Sequence, residues 1–126
     1  MNNERKNLET VINYYAAMLD NKFDTMSTYL DDNVTIISPL DELHGRDNVI
    51  NAAKNFGAML KEIDIKSKFS KDNQVMLAYT MVVSEPIGKF KAAVLFTLSN
   101  SKIKNIELFY DARPFEIKKD DIFGSR

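Results

Sequence analysis

An acid and a base stand two residues apart inside an aromatic stretch near the end of the chain, LFYDARPF at residues 108–115. Asp111 could act as a general base that abstracts a proton, or it could form a strand-end charge pair with Arg113. Side chains of a strand alternate between two faces, so Asp111 points away from the face of Leu108 in a regular strand. A bulge after Phe109 would reverse that direction. The structural role is favoured, and the catalytic role stays open.

Two further side chains have types that could assist Asp111. Tyr14 lies beside an apolar helical stripe, and its hydroxyl could stabilise a developing enolate. His44, the one histidine of the chain, precedes a helix and could titrate near neutral pH at a cavity mouth. The alternatives are a core tyrosine with a satisfied hydroxyl and a solvent-facing loop histidine. A single histidine also excludes mechanisms that need two.

The composition narrows the classes of function. Lys plus Arg number 17 and Asp plus Glu 18, a balance that argues against a phosphate-binding nucleic-acid surface. The absence of cysteine excludes disulfides, thiolate zinc sites and cysteine nucleophiles. The polar start and the lack of a long apolar run predict a cytoplasmic protein without a membrane partner. We expect no cofactor and no metal.

Apolar residues at helical spacing predict three helices in the first half of the chain. The first ends at Asp20-Asn21, the second is short and extends from Phe23 to Leu30, and the third opens at Gly45 to Asp47. A β-branched strand at residues 34–38 precedes Pro39. Residues 40–48 are predicted to be a loop up to the start of the third helix.

After Lys61 the apolar period changes from 3.6 to 2, which predicts strands. Ile63, Ile65, Ser67 and Phe69 are expected to share one face of the first. Helices followed by an antiparallel meander predict an α+β domain over residues 1–117, with 118–126 as a loosely held tail. The four strands are expected within 63–70, 74–86, 89–99 and 102–115.

The order of these elements resembles the nuclear-transport-factor-two-like superfamily, in particular its SnoaL-like polyketide cyclase and ketosteroid isomerase-related branch. The residues that carry the resemblance are 14–39, HGRDNVI at 44–50 and ELFYDARPF at 107–115. It implies a cystatin-like or SnoaL-like cone, in which three helices cover the concave face of a curved, mostly antiparallel sheet. Members of such a fold include isomerases, cyclases, dehydratases, epoxide hydrolases and proteins without chemistry, so the resemblance names no reaction.

The resemblance places candidate residues at individual positions. Ketosteroid isomerases use a helical tyrosine, a base before the strand-ending proline and a protonated acid on a later strand. These positions match Tyr14, Ser38 and approximately Val94, and neither serine nor valine can perform the last two roles. SnoaL-like cyclases are cofactor-free and have an acid near the end of the last strand, which matches Asp111, with His44 or Tyr14 in support.

Three functions therefore stay open. The first is binding of a small hydrophobic molecule in an apolar cavity. The second is a cofactor-free isomerase or cyclase that abstracts a proton next to a carbonyl. The third is a protein-interaction module whose convex sheet face carries Leu95 and Phe109 and pairs in a homodimer. A cavity with only hydroxyls would favour binding, and the residues expected to line it are Tyr14, Met18, Phe23, Leu40, Phe56, Tyr79, Phe96 and Tyr110.

Overall fold

The computed structural model describes residues 2–118. Of the tail predicted at 118–126, all but the first residue lies outside this range. The chain forms three α-helices, six strands and a final 3₁₀ helix. Their bounds are α1 Asn2–Leu19, α2 Phe23–Ser27, β1 Leu30–Ile37, β2 Glu42–His44, α3 Arg46–Gly57, β3 Leu60–Lys71, β4 Gln74–Val83, β5 Lys89–Ser99, β6 Lys102–Tyr110 and the 3₁₀ helix Arg113–Lys118.

The six strands form one curved, unclosed sheet in the order β2-β1-β6-β5-β4-β3. Neighbouring strands are antiparallel except for β1 and β6, which are parallel. These two strands are far apart in the sequence, so a long crossover connects them rather than a hairpin. The helices α1 and α3 cover the concave face. The predicted α+β cone is confirmed.

The segment predicted as a loop between Pro39 and α3 contains a short strand, β2. Its residues pair with the end of β1, with Thr35 opposite His44 and Ile37 opposite Glu42. The turn between them is closed by Ser38, whose hydroxyl oxygen accepts hydrogen bonds from the backbone N–H groups of Leu40 and Asp41. A three-residue strand is too short to show an apolar period, so the sequence did not reveal it.

The strand β3 changes its inward face partway along its length. Ile65 lies opposite Tyr79, but Ser67 lies opposite Ala78, so one extra residue is inserted between them. Such a bulge reverses the alternation of the residues that follow it. Phe69 is therefore on the convex side with 67% of its surface exposed. The expectation that Phe69 shares a face with Ile65 was wrong for this reason.

The last strand is shorter than predicted. It ends at Tyr110, and the chain then turns into the 3₁₀ helix. Pro114 has no N–H group to continue a ladder. The Phe115 N–H donates to the Ala112 carbonyl at 2.9 Å, which closes a turn, and the Phe115 side chain is buried.

The core fills the space between the helices and the concave face. Alternate residues of β5 point inward, towards the helices that cover this side of the sheet. The helix α1 contributes the other half of the contact, with Val11, Tyr15 and Met18 buried. The inward, buried residues of β5 are Ala92, Val94, Phe96 and Leu98.

No helix within residues 2–118 combines the length and the apolar character needed to span a bilayer.

Candidate functional site

A cavity of about 90 Å³ lies between α1, α3 and the concave face of the sheet. Four tyrosine hydroxyls, those of Tyr14, Tyr15, Tyr79 and Tyr110, are the polar side-chain groups of its lining. Aspartate, glutamate, histidine, lysine and arginine are absent from the lining formed by residues 2–118. The remaining lining residues are Met18, Ile36, Val49, Ala52, Ala53, Phe56, Met81, Phe90, Ala92, Ile106, Leu108 and Phe115.

Three of the eight residues expected to line the cavity lie elsewhere. Phe96 is fully buried behind the rings of Tyr14 and Tyr15, which separate it from the open space. Phe23 packs against Gly57 at the end of α3, so closely that an added methyl group at Gly57 would lie 2.9 Å from the phenyl ring. Leu40 is half-buried in the turn after β1. The five that do line the cavity are Tyr14, Met18, Phe56, Tyr79 and Tyr110.

Tyr14, Tyr15, Tyr79 and Phe96 form an inner aromatic cluster. The ring centroids of Tyr14 and Tyr15 are 5.2 Å apart, and those of Tyr15 and Tyr79 are 5.4 Å apart. Each pair meets edge to face, the arrangement that aromatic quadrupoles prefer. The cluster joins α1 to the middle of the sheet and fixes the positions of three hydroxyls.

The hydroxyls of Tyr15 and Tyr79 are 2.9 Å apart and hydrogen-bonded to each other. The hydroxyl of Tyr14 has no hydrogen-bond partner within residues 2–118. Every fully enclosed side-chain polar atom of that range does have one, so the Tyr14 hydroxyl must border open space. Tyr14 is only 2% exposed and lines the cavity, and its unpaired hydroxyl therefore faces the cavity.

Burial sets the protonation of these phenols. Removal from water raises the pKa of Tyr14, Tyr15 and Tyr79, because the charged phenolate is poorly solvated there. Burial also raises the pKa of Tyr110, and a hydrogen bond with the Ser38 side chain lowers it in part. At neutral pH the cavity presents neutral O–H groups, which can donate a hydrogen bond but are poor bases.

Phe90, Tyr110 and Phe115 form an outer aromatic cluster at another part of the lining. The Phe115 centroid lies 4.8 Å from that of Phe90 and 5.2 Å from that of Tyr110, with interplanar angles of 82° and 70°. Phe90 and Phe115 were not among the expected lining residues. Pro114 was the signal that could have placed Phe115, because a proline does not continue a central strand.

Asp111 lies outside the cavity. Its carboxylate accepts hydrogen bonds from the Arg113 side chain, with Oδ1–Nε at 2.9 Å and Oδ2–Nη2 at 2.6 Å, and from the Arg113 backbone N–H at 3.1 Å. These bonds from Arg113 lower the pKa of Asp111 to about 2. The pair closes the turn after β6 on the surface, the structural alternative considered for this stretch.

His44 also lies away from the cavity. It is exposed at the end of β2, with its Nε2 atom 3.1 Å from the Oε2 atom of Glu42. The structure therefore does not bring His44, Asp111 and Tyr14 to one place. Within residues 2–118, no group of three or more histidine or carboxylate side chains is arranged to hold a metal ion.

Comparison with known proteins supports the fold. No protein-family model matches the sequence, and no curated protein matches it. Solved structures do match. A protein from Kribbella flavida DSM 17836 is 23% identical with a TM-score of 0.81, covering 87% of this chain and 90% of its own. An NTF2-like protein of unknown function from Cytophaga hutchinsonii ATCC 33406 is 20% identical with a TM-score of 0.78, covering 86% and 93%.

A LEH-like epoxide hydrolase from M. tuberculosis is also similar, at 15% identity and a TM-score of 0.76, covering 92% of this chain and 90% of its own. The chain thus has the same fold as NTF2-like proteins, and the resemblance drawn from the sequence is confirmed at the level of fold. At such identities the likeness extends to fold alone, and function must be argued from the cavity.

Proposed function

We propose that this protein binds a small, uncharged, hydrophobic molecule that carries one hydrogen-bond acceptor. The observation that carries the proposal is the chemistry of the cavity lining, which is apolar except for neutral phenols. Such a lining favours transfer of an apolar molecule from water. It disfavours a charged one, because no described side chain of the lining would compensate the lost hydration.

The unpaired hydroxyl of Tyr14 gives the site its polar preference. The Tyr14 hydroxyl would donate a hydrogen bond to a ligand carbonyl or ether oxygen placed near it, and no acceptor within residues 2–118 now receives that bond. A net gain of about 0.5–1.5 kcal/mol is usual for such a bond. The hydroxyls of Tyr15 and Tyr79 are already hydrogen-bonded to each other and therefore contribute less to the affinity for a ligand.

Proton abstraction next to a carbonyl, the enzymatic alternative, needs a base within reach of the ligand. Asp111 is held outside by Arg113, and His44 is exposed beside Glu42. The phenols of the lining have raised pKa values and hold their protons at neutral pH. Binding is therefore the function that the geometry favours.

A titration with two matched probes tests the binding proposal. Acetophenone carries a carbonyl, and ethylbenzene has a similar shape without an acceptor. Labelled methionine methyl groups report binding by NMR, because Met18 and Met81 line the cavity while Met76 lies on the opposite face. We expect the Met18 and Met81 signals to shift and the Met76 signal to stay.

The variant Tyr14→Phe sharpens that test. It should weaken acetophenone about 2- to 10-fold, the worth of one hydrogen bond, and leave the affinity for ethylbenzene unchanged. Tyr29→Phe, a tyrosine outside the cavity lining, is the control. The proposal fails if neither probe moves the Met18 and Met81 signals up to the solubility limit in any of these proteins.

The convex face of the sheet supports a second proposal, a homodimer. Of the five large hydrophobic residues exposed within residues 2–118, four lie on this face, and Leu19 is the exception. Three of the four belong to one row that crosses five strands. That row consists of Phe69, Met76, Leu95, Glu107 and Ile37, each opposite the next.

The fourth exposed residue, Phe109, lies beside two small residues on the same face. Its neighbours across the sheet are Ala93 on β5 and, beyond it, Ala78 on β4. In a two-fold pair each Phe109 could rest on the alanines of the other copy, because an isologous interface must match itself. Small residues opposite a large one are what such a contact requires.

Sedimentation velocity over a range of protein concentrations tests the homodimer. We expect a dimer for the natural chain and a monomer for Phe109→Glu, because the substitution would bury two carboxylates in the interface. Leu19→Glu changes a hydrophobic residue outside the sheet that is 38% exposed, against 46% for Phe109, and should remain dimeric. A natural chain that is monomeric at all concentrations would rule this proposal out.

A further inference from the structure

We propose that Phe115 is a displaceable plug in the ligand site, and that the ligand is an aromatic molecule whose ring takes its place. This rests on the proposed function of the cavity. It adds the class of ligand and the way in which the site is opened.

The size of the cavity is the first argument. Its volume is about 90 Å³. An engineered protein cavity that takes up benzene has about 150 Å³. An aromatic ring with a polar substituent therefore does not fit entirely within this volume. To enclose such a molecule, the site must move one of its lining side chains aside.

The second argument concerns which lining residue can leave at the lowest cost. Fifteen of the sixteen lining residues belong to α1, α3 or the sheet, where helical or ladder hydrogen bonds hold the backbone in place. Phe115 alone lies in the 3₁₀ segment after β6. Its neighbours Arg113, Pro114 and Glu116 are exposed, so one buried side chain anchors this part of the segment.

The backbone of the segment does not resist such a movement. The Phe115 N–H bonds to the Ala112 carbonyl three residues earlier, and Arg113 bonds to Asp111 two residues earlier. Both contacts are local and can travel with the segment. For residues 113–116, the displacement therefore costs chiefly the burial of one phenyl ring, which an incoming ring can restore.

The third argument is the shape of the space that Phe115 fills. Its ring meets Phe90 and Tyr110 edge to face, at centroid distances of 4.8 Å and 5.2 Å. This geometry is selective for a flat ring, because an aliphatic group of equal size has no quadrupole to match. A ring in that place would also extend towards the remaining cavity and its Tyr14 hydroxyl. A neutral aromatic ketone or ether fits both features.

The experiment compares two ketones in the natural chain, Phe115→Ala and Phe23→Ala. Acetophenone has an aromatic ring, and cyclohexyl methyl ketone has a similar size without one. We expect Phe115→Ala to bind acetophenone at least tenfold more tightly than the natural chain, because no plug has to leave. Phe23→Ala removes the same side chain from a position outside the cavity and should match the natural chain. The natural chain should bind acetophenone more tightly than the cyclohexyl ketone.

Hydrogen exchange of the natural chain gives a second readout that needs no variant. Saturating acetophenone should speed exchange of the amides in residues 112–118 if the plug is displaced. Slower exchange there would overturn the proposal, since the ligand would then pack on a seated Phe115. If Phe115→Ala does not fold, Phe115→Leu replaces it, with a smaller gain in affinity expected.

The outcomes separate this inference from the proposed function. If both ketones shift the Met18 and Met81 signals with equal affinity in the natural chain and in Phe115→Ala, the cavity binds ligands but Phe115 is not a plug. If neither protein shows a shift, the binding function fails and the plug fails with it. A tighter complex in Phe115→Ala together with faster exchange supports both.

Discussion

The two faces of the sheet are built from alternate residues of the same strands, yet they differ in almost every physical property. On β4 the inward residues Val75, Leu77 and Tyr79 are buried, while Met76 between them is exposed on the other face. The inner face meets two helices and a small cavity. The outer face meets nothing within residues 2–118 and carries exposed aromatics beside charges.

The difference shows how one sheet can carry two kinds of surface. The cavity lining on the concave face has no charged side chain within residues 2–118, and its polar side-chain groups are phenols held neutral by burial. That chemistry suits a small apolar ligand. The convex face carries a mixture of polar and apolar residues, which suits a second protein surface. Alternation within each strand keeps the two surfaces independent, so a substitution on one face should leave the other unchanged.

The largest expected effect is a difference in stability loss between removing a phenyl ring from the concave face and removing one from the convex face. Phe96→Ala opens a cavity behind Tyr14 and Tyr15 and should lower the free energy of unfolding by about 3–5 kcal/mol. Phe69→Ala removes a ring that is 67% exposed and should change it by less than about 0.5 kcal/mol. Urea unfolding at low protein concentration measures both. Equal losses would contradict the assignment of the faces.

A smaller effect is expected within the concave face itself. Tyr79→Phe leaves the Tyr15 hydroxyl buried without its 2.9 Å partner and should cost about 1–3 kcal/mol of stability. Removing both hydroxyls should cost less than the sum of the two single changes, because no unpaired group remains. A double-mutant cycle by urea unfolding measures this coupling. Strict additivity would show that the two hydroxyls do not interact.

The smallest effect is expected at the exposed pair beyond β6. Arg113 lowers the pKa of Asp111 to about 2, so the pair stabilises the fold above the ordinary carboxyl pKa and loses this effect as the pH falls to about 2. Asp111→Asn should therefore cause a slight loss of Tm near neutral pH that disappears in acid. Thermal unfolding at several pH values checks the sign. Unchanged affinity for acetophenone in this variant would agree with its place outside the cavity, and a large loss would not.

The regular parts of the fold could be predicted because apolar periodicity carries over long elements. The strand β5 shows this best, since its buried residues alternate without interruption from Ala92 to Leu98. The bulge in β3 could not be predicted, because Ser67 and Lys68 are both tolerated on either face of an edge strand. It alone decides that Phe69 is exposed.

The candidate site was predictable only in part for a similar reason. The positions of Tyr14 and Met18 in the cavity lining could be predicted from the spacing of apolar residues in α1, and that of Tyr79 from the alternation of inward and outward residues in β4. Phe96 has the right direction but lies one layer too deep, which depends on how the tyrosine rings pack. Phe115 depends on a change of chain direction after Tyr110 that no periodic pattern encodes.

The bulge in β3 has a consequence for the behaviour of the protein at high concentration. This strand is the last of the sheet within residues 2–118, and its outer edge can recruit a strand of another molecule. The bulge bends that edge, and the shifted register turns Lys68, opposite Leu77, towards the concave side. An inward-pointing charge on an edge strand disfavours pairing with a foreign strand. The bulge and the lysine thus both oppose growth of the sheet along the edge formed by β3.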